Sequence, residues 1–355
     1  MPADHRSEPV GLRERGHHAA TGSTTGAATA FAQPNIALVK YWGKRDERLV
    51  LPHSSSLSLT LDIFPTTTTV RLDPAAGTDA VTLGGEPAAG EPRRRVVAFL
   101  DLVRDLAGRT EPAVVDTRNT VPTGAGLASS ASGFAALAVA SAAAYGLDLD
   151  ATALSRLARR GSGSAARSIL GGFAVWHAGE GTGAAGDLAS YAEPVPVSGL
   201  DPALVIALVD AGPKAVSSRA AMRRTVDTSP LYRAWADSSG ADLPDMLAAL
   251  RRGDLDAVGE IAERNALGMH ATMLAARPAV RYLSPATLEV LDGVLQLRRD
   301  GVPAYATMDA GPNVKVLCHR TDAGRVAEVV GAAGRCPAVV ARPGPGARLW
   351  TGDEP

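Results

Sequence analysis

The chain carries little that would mark it as a secreted, membrane or nucleic-acid-binding protein. It has only two cysteines in 355 residues, Cys318 and Cys336. Nothing in the sequence forbids their pairing, but in a chain this size without an export signal they read as two reduced, inert thiols. No apolar run approaches the length of a membrane span. Charge of one sign is missing as well. Its 36 basic residues are balanced by 37 acidic ones, and no long basic stripe appears, which argues against an electrostatic nucleic-acid binder. There is no internal repeat and no clustered His/Cys set for a metal. Aromatics make up 4% of the chain and lysine is scarce beside Ala, Gly and Arg; that looks like a GC-rich coding bias and carries little functional weight. Residues 1–29 lack both an apolar period and a secretory h-region, so they read as a disordered extension of a cytoplasmic protein. Within them His17-His18 reads as part of a solvated tail. The remainder, in a chain 46% apolar, is long enough for one large or two medium domains, each with its own core.

What is present is organised around Pro122-Thr-Gly-Ala-Gly-Leu-Ala-Ser-Ser-Ala-Ser-Gly133. It opens into Phe134–Ala144, which is almost uniformly helix-forming. Glycines and small hydroxyl residues before a helix leave backbone N–H groups unobstructed. The first-turn amides and the helix dipole then favour an anion, usually a phosphate. Ser129, Ser130 and Ser132 are placed to cap the helix, touch phosphate oxygens or hold a magnesium ion. Taken alone, the stretch reads more readily as an ordinary Gly/Ser turn capping a buried helix, and it is the rest of the chain that tips the balance. A second cluster, Arg160-Gly-Ser-Gly-Ser-Ala-Ala-Arg-Ser168, sharpens the reading. Its Arg167 is the residue type for a planar carboxylate, because a guanidinium makes two parallel charge-assisted bonds.

In chain order, Ile36–Val39 is strand-like and runs into Lys40, Tyr41 and Lys44, two cations and a hydroxyl available to one anion. Leu51–Leu61 alternates as a strand, and Thr66–Leu72 is expected as its antiparallel neighbour. A short strand is expected at Ala80–Leu83, and helices at Val96–Leu106 and Ala151–Arg160. A buried strand follows the glycine pair 171–172, and Ala178–Pro196 reads as a Gly/Ala loop at a domain junction. Beyond it come a strand at Leu204–Asp210 and a helix from Lys214 whose capping serines face a ligand or merely cap. Further helices are expected at Leu231–Ser238, Asp242–Arg252, Leu255–Met269, Thr287–Asp300 and Arg325–Ala333, with a last strand at Ala347–Trp350. Two strand-like segments flank Met308-Asp-Ala-Gly-Pro-Asn313. An Asp on a turn fixed by Gly and Pro is oriented by its backbone and shielded from water, which suits catalysis, although an Asx-turn residue has the same sequence appearance.

Together these segments resemble the GHMP kinase superfamily, and within it the mevalonate diphosphate decarboxylases. The motifs that carry the resemblance are Asn35-Ile-Ala-Leu-Val-Lys-Tyr-Trp-Gly-Lys44, Gly126-Leu-Ala-Ser-Ser-Ala-Ser-Gly133, Arg160–Ser168, Val216-Ser-Ser-Arg219 and Met308–Asn313. They occur in family order across about residues 30 to 350. The resemblance implies an α+β GHMP kinase fold: a ribosomal-protein-S5-like N-terminal domain (30–190) and a C-terminal α/β-sandwich domain (191–350), with the active site in the cleft between. It implies ATP-dependent decarboxylation of mevalonate 5-diphosphate to isopentenyl diphosphate, with ATP and Mg²⁺ as cofactors, in a homodimer that binds neither nucleic acid nor membrane.

Residue by residue, Asp309 matches the family's catalytic aspartate, Lys40 the lysine beside it, and Arg167 the arginine that holds the substrate carboxylate. Tyr41, Lys44, Ser162, Ser164, Ser218 and Arg219 match residues at or near the substrate diphosphate. Gly124, Gly126, Ser129 and Ser130 match the ATP-phosphate loop, with Ser130 the candidate for Mg²⁺. Three other readings compete: a decarboxylase acting on mevalonate 5-phosphate, a kinase that phosphorylates the 3-hydroxyl without decarboxylating, and a catalytically silent ligand-binding relative. The last would be expected to have lost Asp309 or Arg167, and both are present.

Overall fold

The computed structural model describes residues 26–120, 129–210, 212 and 215–352. The first half builds two large sheets and one two-stranded pair. Strands β1 (Ala27–Ala32), β2 (Asn35–Val39), β3 (Lys44–Asp46), β4 (Leu51–Pro52), β5 (Ser56–Thr60), β6 (Thr66–Leu72), β7 (Ala80–Leu83) and β8 (Glu86–Pro87) precede helix α1 (Gly90–Ala107). Then follow β9 (Ala113–Asn119), α2 (Ser129–Ala144), α3 (Ala151–Gly161), α4 (Ala165–Ser168), β10 (Phe173–Trp176), α5 (Gly183–Ala189) and β11 (Ala192–Pro194). The second half contributes β12 (Pro202–Ala207), α6 (Ser218–Thr228), α7 (Tyr232–Arg252), α8 (Leu255–Leu274), α9 (Pro285–Arg299), β13 (Ala304–Met308), β14 (Val314–His319), α10 (Ala323–Gly334), β15 (Ala338–Ala341) and β16 (Arg348–Leu349).

One sheet, in the order β16-β1-β6-β9-β7-β8, packs against α1 and α2. Helix α2 is apolar all round, which suits a helix enclosed by neighbours; Ala135, Ala136, Ala138 and Ala140 are completely buried beneath β1 and β6. The second sheet, β11-β10-β5-β2, shares a core with the second half. Ile36, Leu38, Leu57 and Leu59 from it meet Leu204, Ile206 and Leu317 of the third sheet and Met246, Leu250, Val258 and Ile261 of α7 and α8. That third sheet, β13-β14-β12-β15, is antiparallel throughout and carries α9 and α10 on its other face. Helix α8 lies against both β2 and β13. The C-terminal ends of those two strands are thereby held side by side.

Three expectations are corrected. Leu51–Leu61 is two strands, β4 and β5, and β6 does not pair with it: both edges of β5 are occupied, by β2 and β10, so β6 joins β1 and β9 in the other sheet. The segment 178–196 is no simple loop. It forms α5 and β11, because the buried Asp187 accepts charge-assisted bonds from Arg156 and Arg159 of α3 and draws the segment inward. The segments around 231–252 make one helix despite Pro244, which has no N–H to donate within α7. Tertiary contacts override that cost: Trp235 and Met246 are buried, while Ser239 and Asp242 accept bonds from Asn265 of α8.

After β15 the chain returns to the first half and ends as β16 on β1. The crossing at Gly344 is close: a Cβ there would stand 2.1 Å from the Leu61 carbonyl oxygen, which only glycine avoids. Cys318 is buried, Cys336 partly so, and both are free thiols.

Candidate active site

Strand β2 is buried along its whole length and delivers Lys40 at its end, 1% exposed. The Lys40 amide donates to Asn265 Oδ1 at 2.9 Å, which pins the strand end to α8. Its ammonium donates to the Ala37 carbonyl at 2.8 Å and to Asp309 Oδ1 at 2.8 Å. Asp309 follows β13 in the turn to β14, where the Gly311 amide closes on the Asp309 carbonyl at 2.8 Å. Its side chain keeps 26% exposure and so opens to the cleft. On the other side, Lys315 Nζ stands 3.2 Å from Asp309 Oδ2. One carboxylate is thus held by a different lysine on each oxygen.

Arg167, in the short helix α4, is buried beside this group. Its Nε donates to Asn35 Oδ1 at 3.3 Å, its Nη1 donates to Ser56 Oγ, and its guanidinium lies 5.8 Å from the Trp176 ring. Asn35 in turn donates to Ser168 Oγ at 2.8 Å and to the Ser164 carbonyl at 3.0 Å, fixing the orientation of its amide. Tyr41 meets Trp176 edge-on at 4.7 Å and covers Gly163, where a Cβ would come within 2.7 Å of the ring. The Tyr41 hydroxyl is buried with no hydrogen-bond partner among the described residues.

Burial is the first influence on each of these groups. It drives the Lys40 ammonium down to about 8, against the pull of Asp309, with Lys315 and Arg167 adding to the fall. Burial would raise Asp309, but Lys40 and Lys315 outweigh it and hold the carboxyl well below its usual range. Burial lowers Arg167 to about 10, which still leaves it charged at neutral pH, and pushes the Tyr41 phenol up. Three buried cations, Lys40, Lys315 and Arg167, therefore surround one carboxylate. The excess positive charge favours an anionic ligand, and the fixed guanidinium suits a carboxylate.

The other sequence candidates fall around this centre. Ser162 stands 3.3 Å from Ser130 and 3.4 Å from Ser164 by their hydroxyl oxygens, so the Arg160–Ser168 segment meets the first turn of α2. Ser129 opens α2, whereas Gly124 and Gly126 lie outside the described residues. Lys44 pairs with Glu47 at 2.7 Å. Ser218 is the first residue of α6, capped by Ser217. Arg219 stands at the rim, exposed, 3.9 Å from Glu91 and within electrostatic reach of Tyr41 and Lys44.

Sequence reasoning missed Lys315, Asn265, Ser56 and His270. Lys315 had a signal: a lone cation between Val314 and Val316 inside an apolar strand. Asn265 and His270 sit inside the helical pattern of α8 and had none. His270 is packed against the Met308–Asp309 backbone, and burial lowers its imidazole to about 4, so it is neutral there.

The fold and this cluster together define a GHMP-kinase-type enzyme, a two-part α+β scaffold with an anion-directed cleft. Residues 32–192 match the diphosphomevalonate decarboxylase-like N-terminal domain and residues 204–338 the mevalonate 5-diphosphate decarboxylase C-terminal domain. The human diphosphomevalonate decarboxylase is 38% identical over 314 residues, covering 82% of this chain and 76% of its own. A phosphomevalonate decarboxylase of Haloferax volcanii is 34% identical over 304 residues, covering 85% and 91%. Among solved structures, the mevalonate diphosphate decarboxylase from Enterococcus faecalis superposes with a TM-score of 0.84 at 44% identity, covering 91% of this chain and 98% of that one. A structure of MDDEF in complex with MVAPP, AMPPCP and magnesium gives 0.85 at 45%, with the same coverage. The chain belongs to the diphosphomevalonate decarboxylase family.

Proposed function

We infer that this chain carries out the ATP-dependent conversion of mevalonate 5-diphosphate to isopentenyl diphosphate, CO₂, ADP and phosphate, with Asp309, Lys40 and Arg167 as its catalytic residues. The observation that carries the assignment of residues is the part-exposed carboxylate of Asp309, held on both oxygens by buried lysines, beside a guanidinium already fixed by Asn35 and Ser56.

The chemistry asks for this arrangement. The tertiary 3-hydroxyl is a poor leaving group, so it is first phosphorylated by ATP. As phosphate departs, positive charge grows at C3 and the carboxylate bond supplies the electrons that become the alkene, releasing CO₂. Asp309, held anionic by its lysines, presents a fixed negative charge to that carbon. The same carboxylate takes up the hydroxyl proton as that oxygen attacks the γ-phosphate, and its low basicity lets it pass the proton on to solvent and return to the anion. Arg167 holds the substrate carboxylate in one plane, and a clamp that cannot turn keeps the breaking bond aligned. Tyr41, Lys44, Ser162, Ser164, Ser218 and Arg219 are assigned to the diphosphate and its surroundings, and Gly124, Gly126, Ser129 and Ser130 to the phosphates of ATP. The hard oxygen of Ser130, in the first turn of α2 and near Ser162, fits a magnesium ligand, and the ion would neutralise phosphate charge there.

The same proposal covers a phosphate-binding half at 30–190, a second half at 191–350, a homodimer and a cytoplasmic location. No helix among the described residues is long and apolar enough to cross a membrane.

Steady-state ADP release with mevalonate 5-diphosphate, its monophosphate and mevalonate tests the substrate assignment. The diphosphate is expected to be strongly preferred. Preference for the monophosphate would keep the chemistry but align the chain with the Haloferax relative. A pH profile tests the charge state of Lys40. Because burial has brought this group down to about 8, kcat/KM should fall by loss of one proton as pH rises through that value. A rate that stays flat up to the ordinary lysine value of 10.5 would contradict the lowered, rate-controlling Lys40 ammonium.

A further inference from the structure

Lys315 occupies a position where the fold alone would call for an apolar side chain. It lies on β14 between Val314 and Val316, which face the core under α9 and α10. By strand alternation it shares its own face with Leu317, part of the core under α8. Its side chain is 1% exposed, and a buried ammonium costs several kcal/mol unless it is paired. Only two acceptors meet it among the described residues: Asp309 Oδ2 at 3.2 Å and, at 3.4 Å, the Asn313 carbonyl. The backbone carbonyl is slightly farther and neutral, so the carboxylate is the partner that accounts for a charge at this position.

We propose that Lys315 is a positioning residue of the decarboxylation reaction, fixing Asp309 through its second oxygen so that the Lys40 ammonium can serve an incoming anion without releasing the carboxylate. The proposal rests on the assignment of Asp309 made above. Asp309 Oδ1 faces Lys40, which is also tied to the Ala37 carbonyl, and Oδ2 faces Lys315. With Lys40 alone, one ammonium would have to neutralise the carboxylate, orient it and meet the substrate anion. With two, the first two tasks stay with Lys315 on the rigid β13–β14 hairpin, whose register sets Thr307 opposite Lys315. The other groups that act on Asp309 and Lys40 are Arg167 from α4 and the neutral His270 from α8. None of these replaces a cation on Oδ2.

The test compares wild type, Lys315→Met and Lys315→Gln with ATP and mevalonate 5-diphosphate. Both variants should lose about 100-fold in kcat while KM for the diphosphate stays within about threefold, because orientation rather than binding is lost. The alkaline limb of the pH profile should move upward, since the Lys315 charge no longer opposes protonation of Lys40. In an Asp309→Asn background, Lys315→Met should cost nothing further. Lys315→Gln keeps a polar partner for Oδ2, so it carries the test if the methionine variant does not fold. A kcat within about threefold of wild type would overturn the proposal. So would a loss of kcat with an unmoved alkaline limb and an undiminished further loss in the Asp309→Asn background, the signature of a purely structural lysine. If wild type itself does not turn over the diphosphate, the functional assignment fails instead, which is a separate result.

Discussion

Asp309→Asn is expected to lower turnover by at least about 10³-fold, with ADP and CO₂ release falling together. The substitution keeps shape and removes one negative charge, so the effect is electrostatic. It acts twice. The charge that faces the developing cation at C3 disappears. In addition, Lys40 and Lys315 are left buried with no carboxylate between them. Asp309 is the main influence that keeps Lys40 protonated against burial, so its removal pushes the ammonium further down and weakens its charge. The measurement is single-turnover ADP and CO₂ formation at saturating substrate. A variant that retains a tenth of the wild-type rate would show that neither charge is essential.

The second large effect belongs to Arg167. Arg167→Lys keeps a positive charge and much of the volume but replaces a planar fork by a point charge. The lysine cannot reproduce both the bond to Asn35 Oδ1 and the bond to Ser56 Oγ, so its ammonium is free to move. It also loses the stacking of a flat cation near Trp176. We expect about a 100-fold loss in kcat/KM for mevalonate 5-diphosphate, shared between kcat and KM, because both holding and aligning the carboxylate suffer. Steady-state kinetics check this, with the KM for ATP expected to stay near wild type. A kcat/KM within about threefold of wild type would place the carboxylate elsewhere.

Both substitutions fall on residues that were legible in the sequence, and the reason is physical. Asp309 sits in a Gly/Pro turn between apolar segments, and Arg167 follows a Gly/Ser cluster; each is a local pattern that fixes a polar side chain at an element's end. What supports them was less legible. Ser56 lies on the polar half of an alternating strand, Ser56-Leu-Ser-Leu-Thr60, and such alternation normally means one wet face. Here both faces are buried, and the serine face becomes the floor on which Arg167 rests. Asn265 is one polar residue inside a long helix, and only the approach of β2 to α8 gives it the Lys40 amide as a partner. The mispairing expected for β6 has the same origin, since the sequence shows that a strand exists but not which edges remain free. Pro244 in α7 and the Asp187 knot at α5 are likewise cases where a tertiary contact outweighs a local preference.

The central claim is that phosphorylation and loss of CO₂ are coupled on one substrate in this cleft. Rapid quench of a single turnover with ATP and mevalonate 5-diphosphate, following ADP and CO₂ together, tests it most directly. Equal final amounts of ADP and CO₂, both absent from Asp309→Asn, are the expected result. ADP formed without CO₂ would contradict the claim and make the chain a 3-hydroxyl kinase.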